Sequence, residues 1–338
     1  MKCCGWNRRG HALALIAGAS LAAGLTAGLT MHRVAQPMNM KHEKPSPEMM
    51  KKVKMLQDSA PALGYIKAHK DLRNPFGLLG GPISINVSQN EGGVFVALPD
   101  QRVLDPYVFG TPMMPRSFAG TPGISGVPPM PGFRGSEGGH YTRLQKMTPF
   151  GDKFIAMGGA KMSLRAIDAT ATDAASSEDS VRFEASWKDK AGHTYGVTCN
   201  KVIPHGMEFP TFGGVMTNHL LHGFTRLGTP LMPTEFTYVA FWGMGNVTKD
   251  GQDLGMRMVH GMLTEYVRKE GYKLAMDDEV TPARRQFHLM VAPFMPDMDN
   301  KGHFKHVPVH TGFKLPNGME LPFWHVMFEN LKIDAHRV

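Results

Sequence analysis

The sequence predicts a mainly β protein: an antiparallel β-sandwich or barrel with a short N-terminal helical segment. Three observations carry that expectation. After Phe150, successive runs alternate apolar and polar side chains, the period-two pattern of strands with one buried face. Turn-forming sequences such as Asp189-Lys190-Ala191-Gly192 separate the runs. The 38 Gly and 25 Pro in 338 residues suit a chain of many short strands better than a helical one. A hydrophobic fraction of 42% and a charged fraction of 20% supply a core and exclude wholesale disorder.

Residues 1–35 read as a signal peptide or membrane anchor. Ala12 to Met31 is uncharged and follows Lys2, Arg8 and Arg9, the order of a basic n-region and an apolar h-region. Seven Ala, three Gly and two Thr make the stretch only weakly apolar, which favours export over retention as an anchor. Asn7-Arg8-Arg9-Gly10-His11-Ala12-Leu13 loosely resembles a twin-arginine export signal. The expected location is periplasmic or otherwise extracytoplasmic, with contact to the inner membrane only through an uncleaved leader.

Residues 36–73 read as a polar linker and short helices. Ser46-Pro47-Glu48 has a capping Ser before a Pro at the first helical position, so a helix is expected to run to about Asp58 and a second from Ala62 to Leu72. Residues 74–149 form a Gly/Pro-rich β and loop region packed on the main domain. Its strands are Ile83–Val87 and Val94–Leu98, joined through the hairpin-like Asn90-Glu91-Gly92-Gly93, and Thr111 to Gly139 is an extended loop.

Residues 150–338 hold the sandwich or barrel. Strands are expected at Met162–Thr172, Ser180–Lys188, His193–Val202, Glu235–Gly243, Met256–Arg268, Gln286–Ala292 and Leu321–Leu331. Asn218-His219-Leu220-Leu221-His222-Gly223 reads as a short helical turn closing one end.

The net charge of +8 falls to +4 once the leader's Lys2, Arg8, Arg9 and Arg33, unaccompanied by any acid, are set aside. No basic block interleaved with aromatics remains, which argues against nucleic-acid binding. Cys3 and Cys4 precede the leader's apolar run, so Cys199 is alone in the body; it alternates with Val197 and Tyr195 and reads as a buried core thiol.

Enzyme signatures are missing: no Gly-x-Ser-x-Gly, His-Glu-x-x-His, phosphate-binding loop or Cys-x-x-Cys occurs. Glu208, Glu265, Glu320 and Glu329 are available carboxylates that no spacing pairs, so no catalytic residue is assigned. The specific pattern is of another kind. Met256-Arg257-Met258-Val259-His260-Gly261-Met262 puts an imidazole and thioethers on one face of a strand. His288 with Met290, and His325 with Met327, repeat the pairing on two further strands. Imidazole and soft sulfur are Cu(I) ligands, and both also ligate haem iron.

The leading expectation is therefore an exported binding protein with a soft-metal site, most plausibly copper as Cu(I), built in the sheet interior from His260, His288, His325, Met258, Met262, Met290 and Met327. One alternative is a β-barrel enclosing haem or another bulky apolar ligand. Another is a structural or accessory cell-envelope protein in which Met and His only fill the core. The Met-rich segment from Met31 to Met55 fits copper handling or a Met-biased composition equally, since 26 Met are spread over the chain. His303, His306 and His310, near Met295 and Met298, read as a solvated loop.

Overall fold

The computed structural model describes residues 82–113, 134–143, 150–169, 178–203, 213–225, 228–297, 304–309, 312, 318, 320–321 and 324–338. All belong to the unit Asp71–Val338; the chain's other compact unit is Met1–Lys70. The leader, the Met-rich segment, the N-terminal helices, and His303 and His310 lie outside the described residues. No helix among the described residues is long and apolar enough to cross a membrane.

The fold is mainly β. Its main strands are β1 (Ile83–Gln89), β2 (Val94–Ala97), β5 (Phe154–Asp168), β6 (Ser180–Lys188), β7 (Thr194–Val202), β8 (Val215–Leu221), β9 (Glu235–Lys249), β10 (Gln252–Tyr266), β11 (Thr281–Val291), β14 (Trp324–Phe328) and β15 (Lys332–Arg337). Two small hairpins stand apart: β3 (Arg134–Glu137) with β4 (His140–Arg143), and β12 (Phe294–Pro296) with β13 (Phe304–His306). The eleven main strands make one antiparallel sheet in the order β15-β1-β5-β2-β14-β11-β10-β9-β7-β6, with β8 also on β9. A further pairing of β5 with β6 closes the path into a ring of eight strands: β5, β2, β14, β11, β10, β9, β7 and β6. Closure removes the open edges that an extended sheet of this size would leave.

Alternation decides which side chains enter the ring. On β6, Val181, Phe183, Ala185 and Trp187 are buried while Arg182 and Glu184 are exposed. Trp187, Tyr195, Phe183, Phe241, Phe287, Trp324 and Phe328 all belong to this core. The rings pack edge-on or stacked, with Trp187 and Trp324 5.1 Å apart at 79° and Phe183 and Phe287 5.6 Å apart at 20°. Such offsets suit the ring quadrupoles. Room for them comes from interior glycines: a Cβ on Gly261 would run into the rings of Phe241 and Phe287. Cys199 is buried in the same core, as expected, and burial pushes its thiol up to about 11.

Two local expectations are corrected. β1 and β2 do not form a hairpin with each other; both lie along the same edge of β5, at Met162–Asp168 and Phe154–Met157 respectively. Between them the Gln89 amide donates to the carbonyls of Gly93 and Glu329, so the connection turns a corner between strand partners. Residues 218–221 belong to strand β8 rather than a helical turn, and helical geometry begins only at the 3-10 turn Gly223–Thr225. Pairing with Glu235–Phe241 of β9 satisfies that backbone better than an isolated turn would.

A second apolar cluster joins Leu104, Val108, Phe109, Phe150, Leu231, Met232, Val267, Leu274, Ala275 and Val280, with Met290 packed against it. These residues come from connections and one helical turn (Pro106–Phe109), so loops cover one side of the barrel wall. That cover is what buries the candidate site.

Candidate functional site

The three His/Met strands are adjacent, in the order β10, β11, β14. In register, His260 lies opposite Met290 and Met262 opposite His288; His288 in turn lies opposite Met327 and Met290 opposite His325. Opposed residues share a face with Cβ atoms about 5 Å apart. The imidazoles therefore do converge. Their neighbours in sequence, Val259, Leu263, Phe287, Leu289, Trp324 and Val326, point the other way into the aromatic core.

The expected setting is corrected accordingly. The His/Met face is the outer face of the barrel wall, buried beneath the covering loops, and not the barrel interior. The interior itself is filled by aromatic side chains, which would have to be displaced before a haem could be enclosed there. His260, His288 and His325 are buried, as are Met262 and Met327; Met258 and Met290 are half-buried, and Met256 is exposed.

A fourth imidazole joins them. His222, in the left-handed region at φ 63° after β8, is buried with its ring centre 6.5 Å from that of His260. The Thr229 backbone N–H donates to its Nδ1 at 3.1 Å. Nδ1 therefore carries the lone pair and Nε2 the proton, which points at Met262 Sδ at 3.3 Å and lies 3.7 Å from Glu235. In that tautomer His222 has no free nitrogen lone pair. Sequence reasoning missed it because the six residues around it read as a helical turn.

The other rings are opposite in polarity. His260 Nδ1 donates to the Phe241 carbonyl at 2.9 Å, so its Nε2 carries a lone pair, and the ring stacks on Trp242 with centres 4.4 Å apart. His288 Nδ1 and His325 Nε2 share one proton across 2.8 Å, while His288 Nε2 is buried with no hydrogen-bond partner. Two tautomers are conceivable. If His325 donated, His288 would need a proton on Nε2, leaving a buried N–H donor unpaired. If His288 donates, its Nε2 is a bare lone pair, the cheaper arrangement. The geometry thus selects His288 Nδ1–H with a lone pair on Nε2.

Two sulfurs are already engaged. Met262 accepts from His222, and Met327 Sδ accepts from Arg268 at 3.2 Å. Arg268 is itself buried and also donates to the carbonyls of Gly151 and Tyr272. Met290, between His260 and His325 in register, and Met258 are the half-buried thioethers of this face with no such donor among the described residues.

Burial disfavours the charged form of three of the rings. It pulls His222 down to about 3, with His260 and His325 adding to the effect, and pulls His260 down to about 4. Burial and the neighbouring His325 and Arg268 hold His288 well below its ordinary value. Beside them lies a group of buried acids. Burial and the adjacent Glu265 raise Glu235 well above its ordinary value. Burial and Asp105 raise Asp277 to about 6, although the Thr234 N–H and hydroxyl both donate to it. Of these acids, only Glu265 stands out in the sequence, as a carboxylate that no spacing pairs.

Among the described residues, no three His, Cys, Asp or Glu side chains gather to hold one metal ion. A metal here would need a thioether to complete its ligands. What the arrangement offers is a buried layer of imidazole lone pairs and sulfur.

Compared with known proteins, the chain matches no family model, no curated protein and no solved structure.

Proposed function

We propose that this is an exported, extracytoplasmic binding protein whose buried His/Met layer takes one soft cation, Cu(I). His260 Nε2, His288 Nε2 and Met290 Sδ are its ligands. A monovalent soft ion suits the layer because imidazole and thioether ligands add no charge, so the site need not bury a balancing carboxylate. In both His ligands the second ring nitrogen donates to a fixed acceptor: the Phe241 carbonyl for His260 and the His325 ring for His288. That is how metal-bound histidines are held in one tautomer and orientation. His325 is thus a positioning residue, and Met262 and Met327, whose sulfurs already accept hydrogen bonds, line the site.

The observation that carries this reading is the buried, unpartnered Nε2 of His288. The test is titration of purified protein with Cu(I) under anaerobic, reducing conditions against a colorimetric chelator. One equivalent should be withheld from the chelator by the parent. His260→Ala with His288→Ala should lose at least a hundredfold in affinity, and His325→Ala should lose roughly tenfold through the orienting bond. A parent that withholds no copper, or a double variant that binds as tightly as the parent, overturns the assignment. N-terminal sequencing of protein recovered from the extracytoplasmic fraction checks export separately.

A further inference from the structure

On the far side of the wall from the covering loops, strands β15, β1, β5, β6 and β7 build a half-open concavity with a volume of ≈ 540 Å³, whose floor is largely apolar and which carries charged, amide and hydroxyl side chains. The geometry points to a second binding site there, for a saccharide bearing a single anionic group. Its centre is a pair of arginines. Arg165 on β5 lies directly opposite Arg182 on β6, and both side chains face outward because Leu164, Ala166, Val181 and Phe183 face the core. Like charges on directly opposed strand positions repel. Among the described residues, no ion pair or hydrogen bond relieves either guanidinium. Two neighbouring guanidinium groups are a receptor for a carboxylate or phosphate, which each can bind in a bidentate manner.

The surroundings argue for more than a bare anion. Asn86 flanks Arg165 and Asp334 flanks Asn86 in the same cross-strand row. The neighbouring row runs Lys332, Ser88, Ser163, Glu184 and Thr198. All of these line the concavity, together with Asn200. Amides and hydroxyls can donate or accept, whereas Glu184 and Asp334 can only accept when ionised. Two carboxylates would repel a simple anion, but they are acceptors for the hydroxyl protons of a polyol. One anionic group on the arginines and a ring of hydroxyls spread over the two rows satisfy both sets. The volume falls within the usual 300–1,000 Å³ of small-ligand sites, enough for a mono- or disaccharide.

Calorimetric titration of the whole protein at low salt tests this with four probes: glucuronate, glucose 6-phosphate, glucose and inorganic phosphate. Either or both anionic sugars should bind at least tenfold more tightly than glucose and than phosphate, and the comparison between them tells a carboxylate from a phosphate source. Arg165→Gln with Arg182→Gln should abolish that preference. Its thermal midpoint should equal or exceed the parent's, because a repulsion is removed. Glu184→Gln should weaken sugar binding severalfold without changing phosphate binding. Phosphate binding as tightly as the sugars, glucose binding equally well, no heat from any probe, or undiminished binding by the double variant each overturns the proposal. The four-probe panel on the parent decides the matter without any variant.

Discussion

Through His222, His260 and Asp277 together, lowering the pH from 7.5 to 5.0 should destabilise this protein by about 3 kcal/mol, well before ordinary carboxylates titrate. His222 falls to about 3 and His260 to about 4 in the folded state, against 6.5 for a free imidazole. A group depressed on folding contributes stability above its unfolded value and loses it as pH falls toward the folded one. At pH 5.0 each unfolded imidazole is largely protonated while its folded counterpart is not, which costs about 2 kcal/mol per residue at 1.36 kcal/mol per pH unit. Asp277 works in the opposite sense. Its folded value of about 6 exceeds the ordinary 3.8, so its contribution is full below 3.8 and is lost as pH rises through 6. Acidification to 5.0 therefore returns about 1 kcal/mol through Asp277. His288, also depressed, adds to the loss, while Glu235, raised by burial and Glu265, works in the same sense as Asp277 and offsets part of it. Because protonating one buried ring raises the cost of protonating its neighbour, uptake is spread over a wide pH range. Urea unfolding followed by tryptophan fluorescence at the two pH values measures the difference. His222→Gln with His260→Gln should flatten the pH dependence. A parent that loses no more stability between the two pH values than this double variant would refute the claim that His222 and His260 are buried and neutral.

Three further outcomes follow from the packing. Gly261→Ala places a methyl group against Phe241 and Phe287 and should cost about 1–3 kcal/mol in a denaturation series, as overpacked cores do. Glu329 accepts from Tyr266, Gln286 and Arg284, so Glu329→Ala leaves several buried or half-buried donors unpaired and should cost about 2–4 kcal/mol, while Glu329→Gln should cost less. Buried Cys199, with its thiol pushed up to about 11, should resist a thiol reagent at pH 8 in the native protein and react in urea, which a count of labelled thiols by mass spectrometry reads directly.

Strand existence was legible because alternation is a local property. Val181, Phe183, Ala185 and Trp187 announce their shared face without knowledge of any partner, and β6 runs over the expected Ser180–Lys188. The common face of His260, His288 and His325 was legible for the same reason. Which side of the wall that face occupies was not. In a strand such as Trp324–Phe328 both faces are buried, so burial alone cannot say which enters the barrel. Here the bulkier aromatic set, Trp324, Val326 and Phe328, fills the interior, and the His/Met set is covered by loops. Those loops were invisible as a layer because Leu104, Phe150, Leu231 and Leu274 are scattered singly through irregular sequence. His222 was hidden by its context, since Asn218 to Gly223 has turn composition and β8 forms only by pairing with the start of β9. The Arg165–Arg182 pair was illegible too, because its proximity is a matter of register between strands rather than of spacing along one.

The division of the wall into two faces has an energetic consequence. The barrel interior is closed and aromatic, and it buries its side chains with few polar atoms to satisfy. The outer layer does the reverse: four imidazoles, the acids Glu235, Glu265 and Asp277, and the Arg268 cation are buried together. Each such group costs free energy unless it finds a partner. Most do, down to sulfur acceptors for His222 and Arg268. The lone pair on His288 Nε2 does not, nor do the two carboxyl oxygens of Glu235, among the described residues. The bond to His325 gives stability a reason for an imidazole at 288, and a Leu there would lose it; the bare lone pair on the other nitrogen is a cost that an occupant accepting it would offset. If His288→Leu proves more stable than the parent without Cu(I) and less stable with it, that residue serves the ligand and not the fold.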